Sequence, residues 1–147
     1  MKKNLFLAAA AFTGALGGCA LPVAPGAPTA TATATALACT LPSNCVTTLD
    51  GGVAPLQFEG DATQRLVRLK RTLAGYAEAR IVQSDASGID AIFTTAAGFE
   101  DEVSFRIDAA RQRIDYRSRS RFGLFDFGKN RSRMRELAQR FAATAAD

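Results

Sequence analysis

The sequence predicts an α+β domain: a four-stranded antiparallel meander with two helices on one face. Three observations predict it. The chain has 147 residues, enough for one domain and not two. Apolar stripes with helical period open and close its globular part, after Asp61 and again over residues 130–144. Between these stripes lie consecutive strand-like runs at residues 78–84, 89–95, 102–108 and 113–119, joined by short turns.

The first helix starts at Gly60-Asp61-Ala62-Thr63-Gln64, where Asp61 can cap and Gln64 stands three residues on, as a capping box requires. Leu66, Leu69 and Leu73 follow at helical spacing, Val67 and Ala74 widen the stripe, and Gly75 suits a C′ position. The opposite face carries Arg65, Arg68 and Arg71, with Lys70 to one side. EARIVQS and IDAIFTT then form a hairpin around Asp85-Ala86-Ser87-Gly88. In the second hairpin Val103, Phe105 and Ile107 share one face with Ile114 and Tyr116 of the partner strand. A turn centred on Ala110-Arg111 sets Asp108 opposite Arg113, Arg106 opposite Asp115, Ser104 opposite Arg117 and Glu102 opposite Arg119. Such pairs of opposite charge contribute about 0.2–1 kcal/mol each and mark the wet face of an antiparallel sheet. Met134, Leu137, Ala138, Phe141 and Ala142 form the buried stripe of the last helix.

The N-terminal region has a different character. Met1-Lys2-Lys3 precedes an apolar run from Leu5 to Leu16, too short to span a bilayer and of the right length for the h-region of a secretory signal. Leu16-Gly17-Gly18-Cys19 resembles the bacterial lipobox. That resemblance implies a lipoprotein signal peptide at residues 1–18 and a Cys19 that is acylated, palmitate included, as the first mature residue. The other possibility is an ordinary signal peptide with a chance cysteine. Ala20, where Asp tends to retain lipoproteins at the inner membrane, favours the outer membrane, with the domain facing the periplasm. Residues 19–38 are rich in Pro, Ala and Thr and carry no charge, so they read as a tether that cannot bury enough apolar area to order itself. Residues 39–147 form the domain. Of three cysteines, lipidation of Cys19 leaves Cys39 and Cys45, which in an oxidising compartment are expected to form a disulfide; two buried thiols are the alternative. No metal site is expected, since the chain has no histidine and two cysteines do not complete a zinc shell.

Two stretches resemble a bacterial family, the domain of unknown function 1499. One is Leu41-Pro42-Ser43-Asn44-Cys45-Val46. The other is Asp101-Glu102-Val103 followed by Arg117-Ser118-Arg119-Ser120-Arg121, Gly123, Asp126, Gly128, Asn130, Arg131 and Arg133. The likeness covers residues 39 to 141. Ser43 stands where the family usually has Pro, Arg119 where it often has a small residue, and Ser104 where it usually has an acid. The resemblance implies a fold and an extracytoplasmic or membrane-associated setting, and carries no established activity.

Charge is unevenly placed. Residues 111–140 hold ten Arg or Lys against three acids and residues 50–110 hold six against ten, so the formal +4 conceals a basic final third beside an acidic middle. Either the two neutralise each other across the fold, or the basic stretch binds something negative. Arg117 and Arg119 are assigned to the strand and its pairing, and Asp101, Asp126 and Asn130 to holding the structure. Arg121, Lys129, Arg131 and Arg133 flank a glycine-containing loop that runs into a helix N-terminus, and are the candidates for an anion site. The expected partners are the membrane, through the anchor, and an anionic lipid, lipopolysaccharide or acidic protein; nucleic acid is not expected. An enzyme is disfavoured, with no catalytic residue or cofactor assigned: histidine is absent and no serine stands in a nucleophile elbow. A binding or adaptor module, or a structural envelope lipoprotein without a small ligand, remain.

Overall fold

The computed structural model describes residues 30–144. Cys19, the expected signal segment and the first part of the expected tether lie outside the described residues. The elements run α1 (Ala30–Leu37), a 3-10 turn (Pro42–Asn44), β1 (Cys45–Thr47), β2 (Leu56–Gln57), α2 (Ala62–Ala74), β3 (Ala79–Asp85), β4 (Gly88–Thr94), β5 (Glu100–Asp108), β6 (Arg113–Ser120) and α3 (Lys129–Ala143). The class is α+β. The expected meander is β3 to β6, but the antiparallel sheet has six strands in the order β1-β6-β5-β4-β3, with β2 also on β6. β1 and β2 share the outer edge of β6, one opposite residues 117–119 and the other opposite residues 113–114. Strands of three and two residues are too short to show a period of two in sequence.

The second hairpin has the register that its charges require: Asp108 opposite Arg113, Arg106 opposite Asp115, Ser104 opposite Arg117, Glu102 opposite Arg119. In the first, a bulge between Ile81 and Gln83 shifts the register, and Gly88 is obligatory because a Cβ there would stand 1.9 Å from the Phe105 carbonyl oxygen.

Ile89, Ala91, Phe93, Val103, Phe105, Ile114 and Tyr116 face Leu69 and Leu73 of α2 and Met134, Leu137 and Phe141 of α3, and these form one core. Burying each such large side chain contributes roughly 1.5–3 kcal/mol. Asp61 caps α2 by accepting the Thr63 and Gln64 amides at 2.7 and 2.9 Å. The charged face expected on α2 is partly turned inward. Arg65 is buried with its guanidinium 3.6 Å from the centre of the Phe58 ring, and Arg68 lies 4.0 Å from that of Phe141 while donating to the Phe141 carbonyl. Aromatic rings beside both positions make the long side chains cover apolar surface rather than extend into water.

The last part of the expected tether is helical instead. An isolated eight-residue helix of Ala and Thr is marginal in water, so α1 depends on tertiary contacts. Leu37 is fully buried, Arg117 Nη1 donates to the Ala38 carbonyl at 3.2 Å, and Cys39 is disulfide-bonded to Cys45 with Cα atoms 5.8 Å apart. α1 lies against the polar face of the sheet, where Ala36 shares a groove with Glu102, Ser104 and Arg117, while α2 and α3 cover the other face.

Candidate functional site: a buried polar network beneath an aromatic loop

Asn44, Asp101, Ser118, Ser120, Asn130 and Arg133, from the two family-like stretches, meet at one end of the sheet, between β1, β5, β6 and the start of α3. Asn130 is completely buried at their centre. Its Nδ2 donates to the Asn44 carbonyl at 3.1 Å and to Ser120 Oγ at 3.2 Å; its Oδ1 accepts from Ser118 Oγ at 2.5 Å and from Arg133 Nη1 at 3.2 Å. Both donors and both acceptor positions of the amide are thereby used. Ser120 Oγ donates onward to Asp101 Oδ1 at 2.7 Å, and Arg133 Nη2 to Asp101 Oδ2 at 2.5 Å. The Asp101–Arg133 pair is buried, with side-chain exposures of 5% and 7%. Arg133 also stands 4.9 Å from the Phe93 ring centre, which ties the network to the apolar core.

This network holds a loop. Asn44 Nδ2 donates to the Gly123 carbonyl at 2.6 Å, Ser43 Oγ to that of Leu124 at 2.5 Å, and the Asp126 amide to that of Ser43 at 3.3 Å. Asp126 closes the far side. Its carboxylate accepts the Gly128 amide at 2.9 Å and the Asn130 amide at 2.8 Å, so it caps α3 from two residues before the N-cap, Gly128, whose φ of 78° is a left-handed conformation. Burial pushes the Asp126 carboxyl up, but the amides of Asn130 and Gly128 and the Asn130 side chain outweigh that and hold it below the ordinary Asp value. The loop side chains project outward: Phe127 is 98% exposed, Phe122 81%, Leu124 68% and Phe125 66%. Phe122, Phe125 and Phe127 line one concavity with Phe99 and Lys129.

On the opposite face, Glu102 bridges two guanidinium groups, taking Arg117 Nη2 at 2.6 Å on one oxygen and Arg119 Nη2 at 3.0 Å on the other. Burial, and then the neighbouring Arg119, lower the proton affinity of Arg117, which Glu102 partly restores. Arg106 pairs with Asp90 at 3.0 Å, and Arg113 with Asp115 at 3.1 Å on its own strand.

The four cations considered for an anion site are divided among different surroundings. Arg133 is enclosed with Asp101, and Arg121 pairs with Glu100 at 2.5 Å. Arg131 donates to the Gly52 carbonyl. Lys129, exposed at the helix start, pairs with no carboxylate among the described residues. The sequence held a signal for the inward course of Arg133. Asn130 precedes Met134, Leu137 and Phe141 at spacings of four, seven and eleven, and Arg133 precedes Leu137 by four, so both lie on the buried stripe of α3. The glycine-containing loop lies where the sequence puts it, but the exposure of its phenylalanines was not legible, since a phenylalanine reads by default as core. Among the described residues no group of three or more His, Cys, Asp or Glu is arranged to hold a metal ion, and no helix is long and apolar enough to cross a membrane.

Fold and site thus define a small α+β domain with one antiparallel sheet, two helices on its apolar face, and a buried Asn–Asp–Arg network that braces an exposed aromatic loop. The chain belongs to the family described as Protein of unknown function (DUF1499), whose family model matches residues 24–141. The match begins before α1, so it takes in that helix as well as the sheet domain. No curated protein and no solved structure matches the chain.

Proposed function

We propose that this chain is a lipid-anchored envelope protein, held by Cys19 at the periplasmic face of the outer membrane, whose domain is a non-enzymatic interaction module. The observation that carries this reading is the loop at residues 122–127. Large apolar side chains exposed together on a monomer mark a contact surface, and here the backbone beneath them is bonded to Ser43, Asn44 and Asp126 rather than left loose. An enzyme is disfavoured on chemical grounds. Ser120 donates to Asp101, which superficially suggests a nucleophile and its base, but a carboxylate already paired with Arg133 is a poor base. Both described cysteines are bonded. A purely structural envelope role is the second reading, favoured by the pairing of Arg106, Arg113, Arg117, Arg119, Arg121 and Arg133 with carboxylates.

Two experiments test the proposal. Cys19→Ser should abolish lipid labelling and release the protein from the membrane fraction; a variant that stays labelled and membrane-bound overturns the anchor. A photo-cross-linking residue at Phe125, in intact cells, should yield an adduct with an envelope component, while one at Ala86, on the turn at the far end of the sheet, should not. A membrane-anchored protein that gives no adduct from position 125 supports the structural reading and removes the interaction module.

A further inference from the structure

We infer that the aromatic loop docks the domain onto an anionic lipid bilayer, with Phe122, Leu124, Phe125 and Phe127 entering the interfacial region and Lys129 meeting headgroup phosphates. This rests on the interaction-module reading and names its partner.

The side chains have the chemistry of an interface. Aromatic and aliphatic groups are exposed on one loop, and its internal acid, Asp126, is occupied by the Gly128 and Asn130 amides. Lys129, which lines the concavity with the loop phenylalanines, has no carboxylate partner among the described residues. Apolar groups with an unpaired lysine beside them complement a surface that is apolar inside and negative at its rim. This loop has its carbonyls at Gly123 and Leu124 taken by Asn44 and Ser43. A bilayer core offers no backbone groups to pair with, so carbonyls already taken inside the fold favour insertion at its interface.

Geometry permits contact with the same membrane that holds the anchor. Ten residues, 20–29, lie between Cys19 and Ala30, the first residue of α1. Fully extended they reach about 35 Å. A domain of this length has a radius of gyration of about 13 Å, so the tether is comparable with the domain's own width. Ala36 of α1 lines the same groove as Arg121, the residue that opens the loop, so the tethered helix and the loop share a flank of the sheet. The acyl anchor makes docking effectively intramolecular, and a modest intrinsic affinity then suffices to orient the domain.

The chain contains no tryptophan, so Phe127→Trp introduces a single fluorescent reporter at a position whose side chain is almost wholly in solvent. The full-length lipidated protein is reconstituted in vesicles of phosphatidylglycerol and phosphatidylcholine, with Ala86→Trp as the control. F127W emission should shift to the blue and be quenched by brominated lipid. The effect should weaken in pure phosphatidylcholine and at high salt, and A86W should show neither change. Phe125→Trp serves as a second probe, and unchanged urea midpoints show that neither probe disturbs the fold. Solvent-like, unquenched emission from both loop probes in the anionic vesicles overturns docking. So does a blue shift that grows with protein density and ignores brominated lipid, since it reports self-association. A protein adduct from position 125 in cells, together with unquenched loop probes in vesicles, would remove the lipid and retain the interaction module.

Discussion

Asn130 shows how much one side chain can specify. Its amide satisfies partners on β6 and α3 and a carbonyl just before β1, and it does so with no access to water. Removing one partner from a buried hydrogen bond leaves the other unsatisfied at about 1–3 kcal/mol, and removing one member of a buried ion pair costs about 3–5 kcal/mol. Asp101→Asn keeps the shape of its side chain and leaves the Arg133 guanidinium buried without its counter-charge. It should therefore destabilise by about 3–5 kcal/mol, whereas Glu100→Gln, which exposes Arg121 to water, should change stability by about 1 kcal/mol or less. Urea denaturation of the two variants checks this, and equal midpoints would show that the network is not the brace described. At this scale the family-like residues were legible in sequence as a set, but their chemistry was not. Arg133 reads as one more cation in a basic stretch until the helix phase of Met134, Leu137 and Phe141 is extended back to it.

The elements differ in how openly the sequence announces them. The β5–β6 register was legible because alternating apolar residues and opposite charges select the same pairing, and a one-residue slip would reverse both faces. α2 and α3 were legible from their stripes. α1 was not, because alternating Ala and Thr imitates a strand while its helix is selected by distant contacts: the burial of Leu37, the bond from Arg117 and the Cys39–Cys45 bridge. The bridge closes a short loop, for which the chain-entropy model gives about 2 kcal/mol. Cys45→Ser should lower stability by about that amount. It should also release α1 first, seen as faster amide exchange over residues 30–37 while the amides of β4 and β5 remain protected. Uniform loss of protection across the sheet would show that the bridge supports the whole fold rather than this helix.

Across the whole molecule, the basic final third and the acidic middle largely neutralise each other, through Glu102 with Arg117 and Arg119, Glu100 with Arg121, and Asp101 with Arg133. The domain's cohesion depends on its core and on a few buried polar links from core to edge. Tyr116 is one of these. Its ring packs in the core beside Phe105, with centroids 6.3 Å apart, and its hydroxyl donates to the Ala54 carbonyl in the β1–β2 connection at 2.9 Å. Burial pushes its phenol up to about 12, with Arg131 pulling weakly the other way, and burial likewise raises Tyr76. An unfolded phenol ionises near about 10, so a folded value above that means the native state retains a proton that the unfolded chain gives up. The contribution is therefore complete below about pH 10 and is lost as pH rises from there through about 12. The chain has two tyrosines and no tryptophan, so phenolate absorbance reports these groups directly. The folded protein should show no phenol titrating near the ordinary value, and urea midpoints should fall through that alkaline window. Tyr116→Phe should reduce the fall while costing about 1 kcal/mol at neutral pH for the lost hydrogen bond. Should the folded Tyr76→Phe variant instead titrate its remaining phenol near the ordinary value, Tyr116 would be reachable by water, and the core would not close over the β1–β2 connection as described.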